Sequence, residues 1–159
     1  MLTSVTAGQL TIRGISVGGV YTSLCVPELG LVFDCGAPPR SSGGVDTIVL
    51  SHGHADHVGA LPALLGIRGL HNKTKPPRVI MPAEIVDDLQ VALAALSKLQ
   101  RFPLEIEAIG MKPGETFPLR PDLLLRAVRT FHPVPSLGYL VVRRVAKLRA
   151  DLVGMTGPE

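Results

Sequence analysis

Three of the five histidines in this 159-residue chain fall within six residues, in the run Ser51-His52-Gly53-His54-Ala55-Asp56-His57. Alternate residues at a strand end share a face, so His52 and His54 are expected to point to one side. The turn that follows brings Asp56 and His57 round to a neighbouring position. Gly53 and Ala55 are small and leave room between the ligands. Imidazoles with a carboxylate suit zinc, or manganese and iron with less preference. Four candidate ligands in one turn suit two adjacent metals better than one. Two metals would deprotonate a bridging water near neutral pH and polarise a phosphoryl or carbonyl oxygen. A lone histidine is more often a core or surface residue, but a cluster directly after a buried-type strand points to metal.

The neighbouring elements must hold that cluster in place. Residues 46–50 are an apolar run of strand length, with Ile48 and Val49, and they end at Ser51. Upstream, residues 10–13, 20–26 and 31–35 read as short strands punctuated by Gly18-Gly19, Pro27 and Gly30. Residues 38–44 are a loop by composition. After the histidines, residues 61–67 read as a short helix, with Pro62 acceptable in its first turn. A basic loop at 73–78 leads to a strand at 79–81. From Pro82 to about Gln100 the period changes. Ile85, Leu89, Leu93, Leu96 and Leu99 recur at spacings of four and three, one face of a helix that starts at Pro82. Strands return at 104–109, 123–131 and 137–142. Strands mixed with amphipathic helices place the chain in the α/β or α+β class, as one domain over residues 1–159.

Composition agrees with a packed domain. The chain is 46% hydrophobic and 18% charged, with 17 Gly and 14 Pro, which argues against disorder and against a coiled coil. No apolar run approaches the roughly 18 residues of a membrane span, and no cationic start precedes an apolar stretch. A soluble, cytoplasmic protein without membrane partners is the expectation. Cys25 and Cys35 read as buried reduced thiols rather than as a disulfide or metal ligands. The net charge of +3 is modest, but Arg120, Arg126, Arg129, Arg143, Arg144, Lys147 and Arg149 face only one acid, Asp122, over that stretch. Such a segment could meet phosphates or form a solvated face.

The run SHGHADHVGALP, residues 51–62, resembles the HxHxDH signature of the metallo-β-lactamase superfamily. GISVGGVYTSLCVPELGLVFDCG (14–36), KPPRVIMPA (75–83) and RTFHPVPSLGYLVVRRVAKLRADLVGMTGPE (129–159) resemble the short ribonuclease Z proteins, most like the plant branch. These are tRNA 3′-processing endonucleases, and Phe131-His132 with Gly138-Tyr139 carries the likeness beyond the superfamily motif. The resemblance implies an αββα sandwich with a dinuclear zinc site at one edge. It implies His52, His54 and His132 for one ion, and Asp56 and His57 for the second. Asp56 would also orient the attacking water, and Asp34, in FDCG, would brace the His-rich turn. Without the resemblance, His132 is an isolated histidine after a strand and Asp34 a turn cap or surface carboxylate. His71 reads as a loop histidine. Ser136, Gly138 and Tyr139 would shape the substrate edge, with Tyr139 as a core strand aromatic an equal alternative.

By that likeness the reaction is removal of 3′ trailers from precursor tRNA by a metal-activated water. Arg143, Arg144, Lys147 and Arg149 would contact the RNA backbone. The family's later Gly-Asp-Thr aspartate, its last histidine and its leaving-group histidine are not found in these residues. Nor is the Gly- and Pro-rich arm that grips tRNA. The expectation is therefore the N-terminal part of a sandwich, with at most about one tightly held metal per chain and reduced hydrolysis. An exposed inner sheet face would favour a homodimer. Two other readings remain: a superfamily hydrolase of a small-molecule ester, thioester or phosphodiester, and a non-catalytic half-domain.

Overall fold

The protein is described by a computed structural model covering residues 3–37 and 44–145. The chain opens with an antiparallel meander of β1 (Thr3–Ala7), β2 (Leu10–Val17) and β3 (Tyr21–Val26). β4 (Leu31–Phe33) pairs antiparallel with β3, and β5 (Thr47–Val49) then pairs parallel with β4. The short helix α1 (Ala55–Val58) and α2 (Leu61–Leu70) carry the chain across to β6 (Arg78–Pro82), again parallel. A single helical turn at Ala83–Ile85 and the long helix α3 (Val86–Gln100) make the second crossover, to β7 (Glu107–Met111). These seven strands form one sheet in sequence order. β8 (Thr116–Arg120), β9 (Leu123–Arg129) and β10 (Leu137–Arg143) form a second, antiparallel sheet with β9 in the centre.

Two cores follow from period-two alternation in strands buried on both faces. Val32, Ile48, Leu50, Val79 and Met81 face one way and meet Leu61, Leu64 and Leu65 of α2 and Leu93 of α3. Leu31, Val49 and Ile80, the alternate residues, meet Leu123, Leu125, Ala127 and Leu137 of the small sheet. The layers are therefore helix, sheet, sheet. They are three of the four layers of the expected sandwich, with no helix over the outer face of the small sheet among the described residues. No helix among those residues is long and apolar enough to cross a membrane.

Several element limits differ from the sequence expectation. β1 and β8 were not expected, and β2 extends to Val17. The long helix starts at Val86, because Pro82 is still the last residue of β6 and residues 83–85 form the tighter turn. The expected strand at 104–109 begins only at Glu107, although Leu104 is buried. Cys25 and Cys35 are both buried thiols, as expected. Burial, reinforced by the Asp34 carboxylate, pushes the Cys35 thiol up to about 12, so it stays protonated.

Candidate metal centre

The His-rich run leaves the C-terminal end of β5, the end at which parallel sheets build their sites. Leu50 N–H donates to Ile80 O at 2.8 Å and so extends the parallel register by one step before the chain turns. The turn is clamped from the end of β4. Cys35 N–H donates to His57 O at 2.6 Å, and Ala60 N–H donates to Cys35 O at 2.9 Å. Gly36 is required at this contact, since a Cβ there would lie 1.7 Å from Asp56 O. α1 presents Asp56 and His57 in its first turn, and its N-cap is His54.

Asp34 is the brace. Held in the left-handed region at φ 57°, it accepts from Ser51 N–H at 2.7 Å and from the Ser51 hydroxyl at 3.0 Å. It also accepts from His57 Nδ1–H at 2.9 Å. With its hydrogen given to Asp34, the Ser51 hydroxyl accepts from His52 Nδ1–H at 2.8 Å. Both rings are thereby fixed in the tautomer that leaves Nε2 as a lone pair. Tyr139 Oη donates to Leu50 O at 2.9 Å and ties the other sheet to the same turn. Burial, then the nearby Asp34 charge, raises the Tyr139 pKa and keeps that hydroxyl a donor.

His132 arrives from the segment between β9 and β10. Leu137 N–H donates to Ser51 O at 2.9 Å, and Ser136 bridges to His52, so this segment is stitched to the His-rich turn. The outcome is a convergence of three imidazole nitrogens. His52 Nε2 lies 3.1 Å and His132 Nε2 lies 3.2 Å from His54 Nδ1. One ligand atom from each lies within 4.8 Å of the others. His52 is 7% exposed, while His54 and His132 open to solvent. Burial first, then the neighbouring His57 and His132 rings, pushes the His52 imidazole down to about 4. It is therefore neutral, the form a metal requires.

A second pair stands beside this trio. His57 Nε2 lies 3.4 Å from Asp56 Oδ2, and the His57 ring centre is 4.0 Å from that of His52. Gly19 N–H donates to the same Asp56 oxygen at 3.1 Å. The donor set fits a divalent ion. Three imidazole nitrogens meet with no carboxylate among them, the far nitrogens of His52 and His57 are braced, and a carboxylate–imidazole pair adjoins.

The structure thus brings together His52, His54, Asp56, His57, His132 and Asp34. It does not bring Arg143 and Arg144 to that place. Arg143 ends β10, six residues or about 20 Å along the strand from Leu137, and Arg144 follows it. The Arg143 guanidinium is 3.9 Å from Asp122. Lys147 and Arg149 lie outside the described residues. His71 is an exposed residue at the end of α2 and is not among the grouped histidines. Sequence reasoning passed over Ser51 and Gly19. Ser51 carries a local signal, a hydroxyl directly before His52 at the end of the expected strand. Gly19 carries no comparable signal, since its contact spans 37 residues.

The family model of the β-lactamase superfamily domain matches residues 25–149. The chain is 37% identical over 148 residues to tRNase Z TRZ1 of Arabidopsis thaliana, covering 93% of this chain and 52% of that protein. It is 33% identical over 148 residues to a nuclear ribonuclease Z of Triticum aestivum, covering 93% of this chain and 84% of that protein. The chain spans about half the length of the Arabidopsis relative and most of the wheat one. Among solved structures it matches the metallo-β-lactamase fold protein YhfI from Bacillus subtilis with a TM-score of 0.55 at 16% identity, over 86% of this chain and 53% of that one.

Proposed function

The chain belongs to the ribonuclease Z family of the β-lactamase superfamily, and from that premise we propose that it is a metal-dependent phosphodiesterase that removes 3′ trailers from precursor tRNA. The observation that carries the reading is the meeting of His52 Nε2, His54 Nδ1 and His132 Nε2, three nitrogens drawn from two distant parts of the chain. His52, His54 and His132 would hold one ion; Asp56 and His57 would contribute to a second. Zinc suits the imidazole-rich set best, with manganese or iron as substitutes. A divalent ion there supplies Lewis acidity, polarising a phosphoryl oxygen and lowering the pKa of water.

The chain's own residues do the rest. Asp34 and Ser51 hold the tautomers of His57 and His52, so that both present lone pairs before any ligand arrives. Asp56, fixed through Oδ2 by Gly19, orients the attacking water and takes its proton. Tyr139 holds the height of the His-rich turn through Leu50 O. Arg143 and Arg144, at the far end of β10, would contact the acceptor stem away from the cut rather than the scissile phosphate. The whole chain, residues 1–159, acts as one domain in this reading.

The test is cleavage of a precursor tRNA with zinc or manganese. Release of the 3′ trailer by the wild-type chain and its loss in His54→Ala is expected. Cleavage that survives His54→Ala, or turnover confined to a small-molecule thioester or lactone, would overturn the assignment.

A further inference from the structure

Among the described residues, one phenylalanine stands almost wholly in solvent. Of the four phenylalanines, Phe33 and Phe117 pack at the edge of the inter-sheet core, and Phe102 is 42% exposed. Phe131 is 93% exposed and immediately precedes His132. Its position is held rather than loose. Thr130 Oγ1 and Ser136 Oγ are 2.7 Å apart, closing the segment on either side of Phe131 and His132, and Ser136 bridges to His52. The Arg129 guanidinium carbon lies 5.8 Å from the Phe131 ring centre. Arg129 is itself fixed as the last residue of β9, paired with Leu137 at the site end of β10. An open aromatic ring and a cation therefore stand one residue from a proposed metal ligand.

We propose that Phe131 and Arg129 form a stacking platform for an unpaired RNA nucleotide next to the phosphodiester held at the histidine cluster. The proposal rests on the phosphodiesterase reading above. A ring that presents its face to water is the surface on which a nucleobase stacks, whatever the base. A guanidinium beside the ring adds a cation–π contact and a charge for the neighbouring phosphate. The adjacency to His132 sets the order: base on Phe131, phosphate at the histidines. Arg143 and Arg144 stand too far along β10 for this role, which leaves Arg129 as the cation at the site end of that sheet.

Binding of a short, labelled single-stranded RNA to the zinc-loaded full chain, followed by fluorescence anisotropy, reads the platform without turnover. Phe131→Ala is expected to weaken binding about tenfold with an unchanged salt dependence. Phe131→Trp keeps or improves it. Arg129→Ala weakens binding and lowers the slope of log affinity against log salt by about one phosphate contact. Wild-type affinity in Phe131→Ala would overturn the proposal. So would a Trp variant as weak as the Ala variant, or a shift of oligomeric state on Phe131→Ala, which would mean that the ring docks a second copy. Zinc content, measured on the same samples, separates the two readings. Zinc bound with no effect at Phe131 removes the platform and leaves the phosphodiesterase. An effect at Phe131 with no zinc bound removes the metal site and leaves the platform.

Discussion

A single carboxylate, Asp34, braces His57 directly and His52 through Ser51: it receives Ser51 N–H, the Ser51 hydroxyl and His57 Nδ1–H. Asp34→Ala is expected to lower zinc affinity by about 10- to 100-fold, although Asp34 is not among the proposed ligands. Titration with a competing chelator measures this. Affinity equal to wild type would mean that the rings hold their tautomers unaided. Ser51→Ala should give a smaller loss, because it frees the His52 ring while the backbone N–H of residue 51 still donates to Asp34 and holds the turn. At this scale the sequence is legible where donors are contiguous. His52, His54, Asp56 and His57 sit in one turn, so their types and spacing alone raise a metal. His132 has no local pattern, because its meeting with His54 spans 78 residues and depends on how two sheets stack. Only family resemblance could place it beforehand.

The elements that carry these side chains have identifiable weak points. Gly36 admits Asp56 O where a methyl group could not stand. Gly36→Ala should cost about 1–3 kcal/mol in denaturant unfolding and displace α1. Leu64 of α2 is fully buried against β5 and β6, so Leu64→Ala should cost about 2–5 kcal/mol without touching the ligands.

A third point is the buried Arg68 of α2, which donates to Asp46 Oδ1 at 2.8 Å just before β5, and to Val45 O. The Arg68 hydrogen bond, more than its charge, holds the Asp46 carboxyl below its ordinary value of 3.8. The folded state thus favours the ionised form, and the gain is present above pH 3.8 and fades as pH falls through the lowered value. Asp46 is largely exposed, so Asp46→Asn should lose only about 0.5–1 kcal/mol at neutral pH. That difference should vanish in strong acid, which an unfolding series across pH would reveal.

The central strands were readable because both faces are apolar, as in Ile48, Val49 and Leu50. β1 was not, since every one of its residues is exposed and no pattern of burial marks it. β8 hides behind Pro118 and a register irregularity between Pro118 and Arg120. The periodic face of α3 was legible, but its burial was not. Leu93 is buried while Leu96 is 37% and Leu99 80% exposed, so the apolar stripe is covered at its middle and open at its end.

At the scale of the molecule, β10 is an edge strand of the small sheet among the described residues, with Leu140 and Val142 half exposed along it. An open edge with apolar side chains invites pairing with another chain. Were a homodimer to form through this edge, a Leu140→Lys variant would sediment as a monomer where the wild type does not. The layers, the strand-end position of the site and the family membership agree, yet the claim that joins them is that two distant segments close one metal centre. Zinc content and affinity of the purified chain, compared across His52→Ala, His54→Ala and His132→Ala, test that claim most directly. The expected result is about one tightly held ion per chain, lost in all three variants and most informatively in His132→Ala. Zinc retained with wild-type affinity in His132→Ala would contradict it.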